Sequence, residues 1–199
     1  MLTNLFIKKK NIENIVTSED IMPIVNSYEF TTFKVYDVAI SHPKTWHVFV
    51  NPSKPFDYYD GQVKIDHSMD KSSKDNEFSL SLRWAKIEKE ITIDEYVDEI
   101  KKQYVIKQKR NKRDYYKILS IDEDICASDT KAFMIKSEVK ANHSIYRVLK
   151  NDEAFKSSEI VTYSPKSKRI AFAVMTSRSE FFDEYQFLFN KILRSLDCQ

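Results

Sequence analysis

The most concentrated chemical feature of the sequence is a basic segment, KQKRNKR, at residues 107–113. Its charged residues are Lys107, Lys109, Arg110, Lys112 and Arg113. Basic side chains at this density can bind phosphates, and the tyrosines at 104, 115 and 116 could stack on bases. The alternative is a solvated helix end, whose positive charge suits the helix dipole while the tyrosines enter the core. Because the formal net charge is only +2, nucleic-acid or anion binding is the secondary hypothesis.

The histidines and cysteines lack the spacing of a metal site or an activated nucleophile. His42 and His47 lie on either side of Pro43 and share neither a helical face nor a strand face, and no carboxylate or cysteine stands beside them at ligand spacing. Cys126 follows the acidic segment DEDI, which should raise the pKa of its thiol. Cys198, the other cysteine, is too far along the chain to form a CxxC pair with it. We predict no metal, no cofactor and no disulfide.

The acidic residues and the single glycine argue against two further kinds of catalytic or nucleotide site. Asp94 and Asp98 fall in the first turns of a predicted helix, where the helix dipole explains them, and nothing selects a glycosidase-type acid pair. Gly61 is the only glycine, so the glycine-rich loops that hold phosphates are excluded. It follows Asp60, and an Asp-Gly pair predicts a tight hairpin turn. We therefore expect a protein that is not an enzyme.

Length and composition indicate one globular domain. The chain has 199 residues, of which 42% are hydrophobic, enough for a substantial core. We predict an N-terminal arm with a short helix at 1–28 and a single domain at 29–199. No apolar run approaches the roughly 20 residues that cross a bilayer, and the first lysines follow a short apolar segment, unlike those of a secretory signal. We expect a cytoplasmic location and no membrane partner.

Most of the remaining sequence has the pattern of antiparallel strands. FKVYDVAI and WHVFV predict two strands, and the alternation in QVKIDH and FSLSLRW predicts two more, with one apolar face each. The polar stretch at 68–76 predicts an exposed loop. Further strands are predicted at YYKILSI, TKAFMIKSEV, HSIYRVLK, EIVTYS and RIAFAVMT. The last is apolar on both faces, which predicts a central position in the sheet.

Two helices are predicted from capping signals and apolar stripes. The first begins at Thr92, which has capping-box spacing with Glu95. Its stripe consists of Ile93, Tyr96, Val97, Ile100 and Tyr104. The second closes the chain, and Ser177 and Glu180 have the same capping-box spacing. Its stripe consists of Phe182, Tyr185, Phe189, Ile192 and Leu196.

Three stretches of this sequence resemble the PsbP-like superfamily. FKVYDVAISHPKTWHVF is similar to the opening of that family, where a strand, a Pro-x-x-Trp turn and a second strand begin the domain. ITIDEYVDEI resembles its helix after the early strands, and RIAFAVMTSRSEFFDEYQFLFNKILRSL resembles its last strand and closing helix. The resemblance covers roughly residues 30–197. The sequence departs from the pattern at Thr45, and at Ser128 and Asp129, where the family commonly has glycine.

This resemblance implies an α+β fold: an α/β/α sandwich with a central, mostly antiparallel twisted sheet flanked by helices. The superfamily includes the extrinsic PsbP subunit of photosystem II and Mog-type factors that bind the GTPase Ran, so it also implies binding rather than catalysis. We expect a non-enzymatic intracellular protein-binding or scaffold domain.

The expected partner surface is a sheet edge, the loop at 68–76 or the region around Trp46. The residues named for that region are His42, Trp46 and His47. For Trp46 itself, a structural role is the alternative, because Pro43 would end one strand and the indole would cover the core at the start of the next.

Overall fold

The computed structural model of the protein describes residues 28–66, 78–89, 91–110, 115–127, 129–140 and 154–199. The predicted N-terminal arm, the loop at 68–76 and the strand HSIYRVLK lie outside these residues, apart from Tyr28. The described part of the chain forms ten strands and two helices. The strands are β1 Phe30–Val35, β2 Val38–Pro43, β3 His47–Val50, β4 Asp60–Asp66, β5 Phe78–Lys86, β6 Tyr115–Ile125, β7 Lys131–Lys140, β8 Ala154–Ser164, β9 Arg169–Arg178 and β10 Asp197–Cys198. The helices are α1 Ile93–Arg110 and α2 Ser179–Arg194.

The strands form two sheets in which all pairings are antiparallel. The large sheet has the order β3-β4-β5-β9-β8-β7-β6, and the small sheet has the order β1-β2-β10. The antiparallel arrangement and the central position of β9 were both predicted from the sequence and are confirmed. Strand β9 pairs with β5 on one side and with β8 on the other.

The prediction of one strand at FKVYDVAI is wrong, because this stretch is a hairpin. Val35 pairs directly with Val38, so Tyr36 and Asp37 form a two-residue turn between β1 and β2. Both have positive φ, 48° and 63°, the backbone that two-residue turns of this twist require. Tyrosine is uncommon in this backbone, so the pair Tyr36-Asp37 is only a weak turn signal.

The prediction of a hairpin turn at Gly61 is also wrong. Gly61 lies inside β4, directly opposite Trp84 on β5, and its φ is not positive. A Cβ at this position would overlap the six-membered ring of Trp84, so glycine serves close packing rather than a turn. The indole Nε1 of Trp84 donates a hydrogen bond to the carbonyl of Asp57, 2.8 Å away.

The two helices pack against opposite faces of the large sheet. The stripe of α2 joins the larger core, with Leu80, Leu82 and Trp84 of β5, and the predicted stripe residues Phe182, Phe189, Ile192 and Leu196 are buried. The stripe of α1 packs with Ile135, Val161 and Ile170 in a second core. Alternation along each strand therefore gives both faces of the sheet an apolar layer.

The predicted capping box of α1 is confirmed, whereas that of α2 is wrong. The amide of Glu95 donates to Thr92 Oγ1 at 3.2 Å, and the amide of Thr92 donates to Glu95 Oε2 at 2.8 Å. At α2 the N-cap is Arg178, which makes no side-chain capping bond. Ser177 belongs to β9 instead, because the strand stays extended up to the first helical residue.

A buried arginine connects three distant segments beside the small sheet. Arg169 is fully buried, and its guanidinium donates to the carbonyls of Tyr36, Tyr58 and Gln199 at 2.5, 3.0 and 3.1 Å. It also lies 4.0 Å from the centre of the Tyr58 ring. The β1–β2 turn, the loop before β4 and the residue after β10 are thus held by one side chain.

Candidate functional site

The predicted partner surface around Trp46 is mostly inside the protein. Trp46 is buried in the larger core, as its structural role requires. His42 is also buried, and its Nδ1 donates to the carbonyl of Pro43 at 2.9 Å. Burial lowers the pKa of His42, against a smaller opposite effect of that hydrogen bond. Only His47 is exposed, so the surface that remains for a partner is β3.

Strand β3 is an edge strand with an uncharged sequence, HVFV. It pairs with β4, and no described strand pairs with its outer edge. Val48 and Val50 are 36% and 44% exposed, and His47 is exposed beside them. Charged residues, prolines and bulges are the usual protection of a sheet edge, and β3 contains none of them.

The opposite edge of the large sheet, β6, has this protection. Its eleven residues include a register shift between Ile118 and Ser120, and its second half carries the acidic run Asp122, Glu123 and Asp124. A bulge and a row of like charges both discourage another strand from pairing. The two edges therefore differ in their readiness to accept a further strand.

The structure describes part of the predicted basic segment. Lys107, Lys109 and Arg110 lie in the last turn of α1, where positive charge is favourable to the helix dipole. Lys112 and Arg113 lie outside the described residues. Tyr104 is half-buried and donates to Ser137 Oγ at 2.9 Å, while Lys107 Nζ lies 5.7 Å from the centre of its ring. This tyrosine is therefore engaged within the domain.

A cavity of about 260 Å³ lies between α1 and the sheet, next to the basic segment. Its lining residues are Tyr96, Glu99, Ile100, Gln103, Tyr104 and Lys107 of α1 and Glu159 of β8. Glu159 and Val161 are two residues apart on β8. Their side chains therefore lie on the same face of the sheet, and both point towards α1. The structure thus places a carboxyl group on the sheet side of a cleft whose helix side combines Tyr96, Ile100 and Tyr104 with three polar or charged side chains.

Burial raises the pKa of Glu159 to about 7, and the nearby positive charge of Lys107 opposes this only in part. Its side chain keeps some accessible area in the cavity, but protein surrounds it closely. Within the described residues, the Glu159 carboxylate accepts no hydrogen bond and forms no ion pair. Burial also raises the pKa of Tyr96 and of Tyr104, and the charge of Glu159 adds to both shifts.

Glu159 was not among the residues predicted from the sequence. The signal was present in the alternation of β8, where Ser157, Glu159, Val161 and Tyr163 share one face. A glutamate in that row, on a strand flanked by two others, must lie under whatever covers the sheet. The sequence did not predict that α1 covers this face of β8.

The two cysteines are buried and free. Burial raises the pKa of Cys126 to about 12, and Asp124 contributes in the same direction, as expected from the acidic segment before it. Burial likewise raises the pKa of Cys198 to about 11. Neither thiol is thereby activated. Among the described residues, no group of three or more histidine, cysteine, aspartate or glutamate side chains has metal-binding geometry.

The two sheets and their helices define the PsbP-like fold. The solution structure of cyanobacterial PsbP (CyanoP) from Synechocystis sp. PCC 6803 matches this chain with a TM-score of 0.61 at 10% sequence identity, over 86% of this chain and 94% of that one. A protein of unknown function from Pseudomonas aeruginosa matches 86% of this chain and 98% of its own length, at 8% identity and a TM-score of 0.48. At 10% identity, the likeness to CyanoP shows the fold alone.

Sequence comparisons add no relative to these structures. No protein-family model matches the chain, and no curated protein matches it. None of the described helices combines the length and the apolar character needed to span a membrane.

Proposed function

We propose that this chain is a non-enzymatic protein-binding domain, an α/β/α sandwich that holds an extended segment of a partner along the outer edge of β3. The supporting observation is the uncharged, exposed edge HVFV, with Val48 and Val50 accessible, opposite a second edge that carries charges and a bulge. An extended peptide that joins such an edge gains main-chain hydrogen bonds, and the alternate side chains provide specificity.

The size of β3 limits the strength of this interaction. In a strand of four residues, about half of the backbone groups point outward, and each hydrogen bond contributes about 0.5–1.5 kcal/mol. Such a sum corresponds to roughly millimolar affinity. Tighter binding therefore requires that the partner also cover Val48 and Val50 with apolar side chains.

The test is site-specific photo-crosslinking in the native cell, with the photoreactive residue at position 48 in one variant and at position 125 in the other. Ile125 is a matched control, because it is an apolar residue at the end of β6 with 59% exposure. We expect a discrete crosslinked protein from position 48 only. Equal crosslinking from both positions, or none from position 48, would show that β3 does not bind a partner.

A charge at the edge provides the second arm of the test. Val48→Lys and Val50→Lys should each prevent recovery of that crosslinked partner, because edge lysines oppose strand pairing. Ile125→Lys should leave recovery unchanged. All three positions are exposed, so the folded state should persist, which a circular dichroism spectrum and a melting curve check directly.

The basic end of α1 supports a second candidate, nucleic-acid or anion binding. Lys109 and Arg110 are exposed and form no ion pair with any described residue, so their charge is available. A mobility shift with DNA or RNA that weakens with salt, and disappears when Lys109, Arg110, Lys112 and Arg113 become serine, would support this function. No shift at low salt would eliminate it.

A further inference from the structure

The cavity under α1 contains a carboxyl group that no described residue satisfies. Glu159 lines it from the sheet side, and Tyr96, Ile100 and Tyr104 line it from the helix side. Glu159 is partly accessible from this cavity, so a molecule that enters can reach a carboxyl group that has no hydrogen-bond or ion-pair partner among the described residues.

The neighbouring cation does not fill this role. Lys107 lines the same cavity, but its Nζ lies 5.7 Å from the centre of the Tyr104 ring, and it forms no ion pair with Glu159. Its charge lowers the pKa of Glu159, yet less than burial raises it. The carboxyl group of Glu159 therefore faces the open cavity and is not paired with Lys107.

The size and lining of the cavity restrict what can enter. A volume of about 260 Å³ is slightly below the range of drug-sized pockets, which starts at about 300 Å³, and so suits a smaller molecule. The aromatic rings of two tyrosines favour a cation, because a positive charge is attracted to the faces of such rings. Ile100 between them favours a short apolar group.

We propose that this cavity is a binding site for a small organic cation, with its ammonium group between Glu159 and the rings of Tyr96 and Tyr104 and its short apolar part against Ile100. Binding there needs neither β3 nor a protein partner, so this proposal stands apart from the function proposed above. The ionised carboxylate is the binding form, and binding of a cation therefore releases a proton from the fraction of molecules that are protonated.

The pH dependence follows from the charged and titratable groups that face Glu159. These are Lys107 and Glu99 on α1 and the hydroxyls of Tyr96 and Tyr104. Arg83 on β5 does not line the cavity, but its charge acts on Tyr96. Glu159 itself supplies the pH dependence. With a pKa of about 7, its ionised fraction rises about tenfold between pH 6 and pH 8, so affinity should rise by about the same factor.

The experiment is a titration of the full chain with n-butylammonium, followed by two-dimensional amide NMR at pH 6 and pH 8. We expect saturable shifts confined to α1, β8 and β9, and a Kd about tenfold lower at pH 8. Butyrate, of similar size and opposite charge, should produce no such shifts. Glu159→Gln should weaken n-butylammonium binding at least tenfold at pH 8 and remove the pH dependence.

A control variant separates the site from the general charge of the protein. Glu184→Gln removes an exposed glutamate on α2, across the sheet from the cavity, and should bind n-butylammonium as the unchanged chain does. Binding by Glu159→Gln equal to that of the unchanged chain would overturn the proposal. So would the absence of cavity shifts at pH 8, or shifts of equal size with butyrate.

Discussion

Gly61 and Trp84 are direct cross-strand neighbours, and the indole of Trp84 occupies the space where any other residue at position 61 would place its Cβ. That Cβ would lie 2.6 Å from Cη2 and closer still to two other ring atoms. The ring cannot retreat easily, because Tyr36 and Phe56 contact it from other sides and its Nε1 is hydrogen-bonded to Asp57.

Gly61→Ala should therefore destabilise the protein strongly. Overpacking in a filled core costs about 1–3 kcal/mol and occasionally more, and we expect a value at the upper end, measured as the free energy of unfolding in urea. Trp84→Phe removes the atoms that would clash. The double variant should be less destabilised than the sum of the two single changes, whereas simple additivity would show that the two residues are not coupled.

Trp46→Ala should lower the free energy of unfolding by about 3–5 kcal/mol, because the indole lies in the larger core and its removal leaves a cavity. His47→Ala is the control: the next residue is exposed, so its removal should change stability by less than about 0.5 kcal/mol. A stable Trp46→Ala variant that lost a protein partner would instead place Trp46 in the binding surface.

Arg169→Met should destabilise the protein by about 3 kcal/mol or more, because hydrogen bonds from a charged group are strong and three carbonyl acceptors would lose their donor. Lys166→Met, an exposed change before the same strand, should have little effect. Amide exchange gives a local measurement. Exchange at Gln199, whose amide donates to the carbonyl of Asp37 at 3.1 Å, should accelerate; unchanged exchange would contradict the connecting role of Arg169.

Glu159 should make the protein less stable as pH rises. Its pKa is raised in the folded state to about 7 from an ordinary value of 4.5. The folded state therefore retains the proton more strongly, and the stabilising contribution is complete below about pH 4.5, declines as pH rises and is lost above about pH 7. The loss amounts to about 3 kcal/mol.

Urea midpoints of the unchanged chain and of Glu159→Gln, compared across this pH range, measure the contribution of Glu159. The glutamine variant should lack the decline in stability, and parallel pH profiles for the two proteins would contradict a raised pKa at Glu159.

Patterns that depend on neighbours in sequence were predictive in this protein. The alternation of Leu80, Leu82 and Trp84 correctly predicted the buried face of β5, and Thr92 with Glu95 marked the start of α1, because a strand face and a helix cap are properties of a few consecutive residues. The hairpin at Tyr36 and Asp37 was missed because tyrosine seldom adopts the left-handed backbone of its turn, and Asp37 alone is a weak signal.

Relationships between distant residues were not predictable in the same way. The role of Gly61 depends on a ring that lies in another strand, and Arg169 has partners at positions 36, 58 and 199. The candidate cavity exists because α1 lies over β8. The periodicity of these two segments does not predict that they are in contact. The sequence identified surfaces and cores, and the structure was needed to show which of them meet.

The order of strands in the large sheet also indicates how the chain folds. Within the described strands of this sheet, each pairing joins consecutive strands except that of β5 with β9, where Leu82 faces Ala173. Closing such a long loop is entropically costly, and non-local pairing slows folding. We expect two meanders to form first and their junction to limit the rate, so that Leu82→Ala slows refolding in stopped-flow measurements. Ile40→Val, a buried change in the small sheet and outside both meanders, should instead mainly accelerate unfolding.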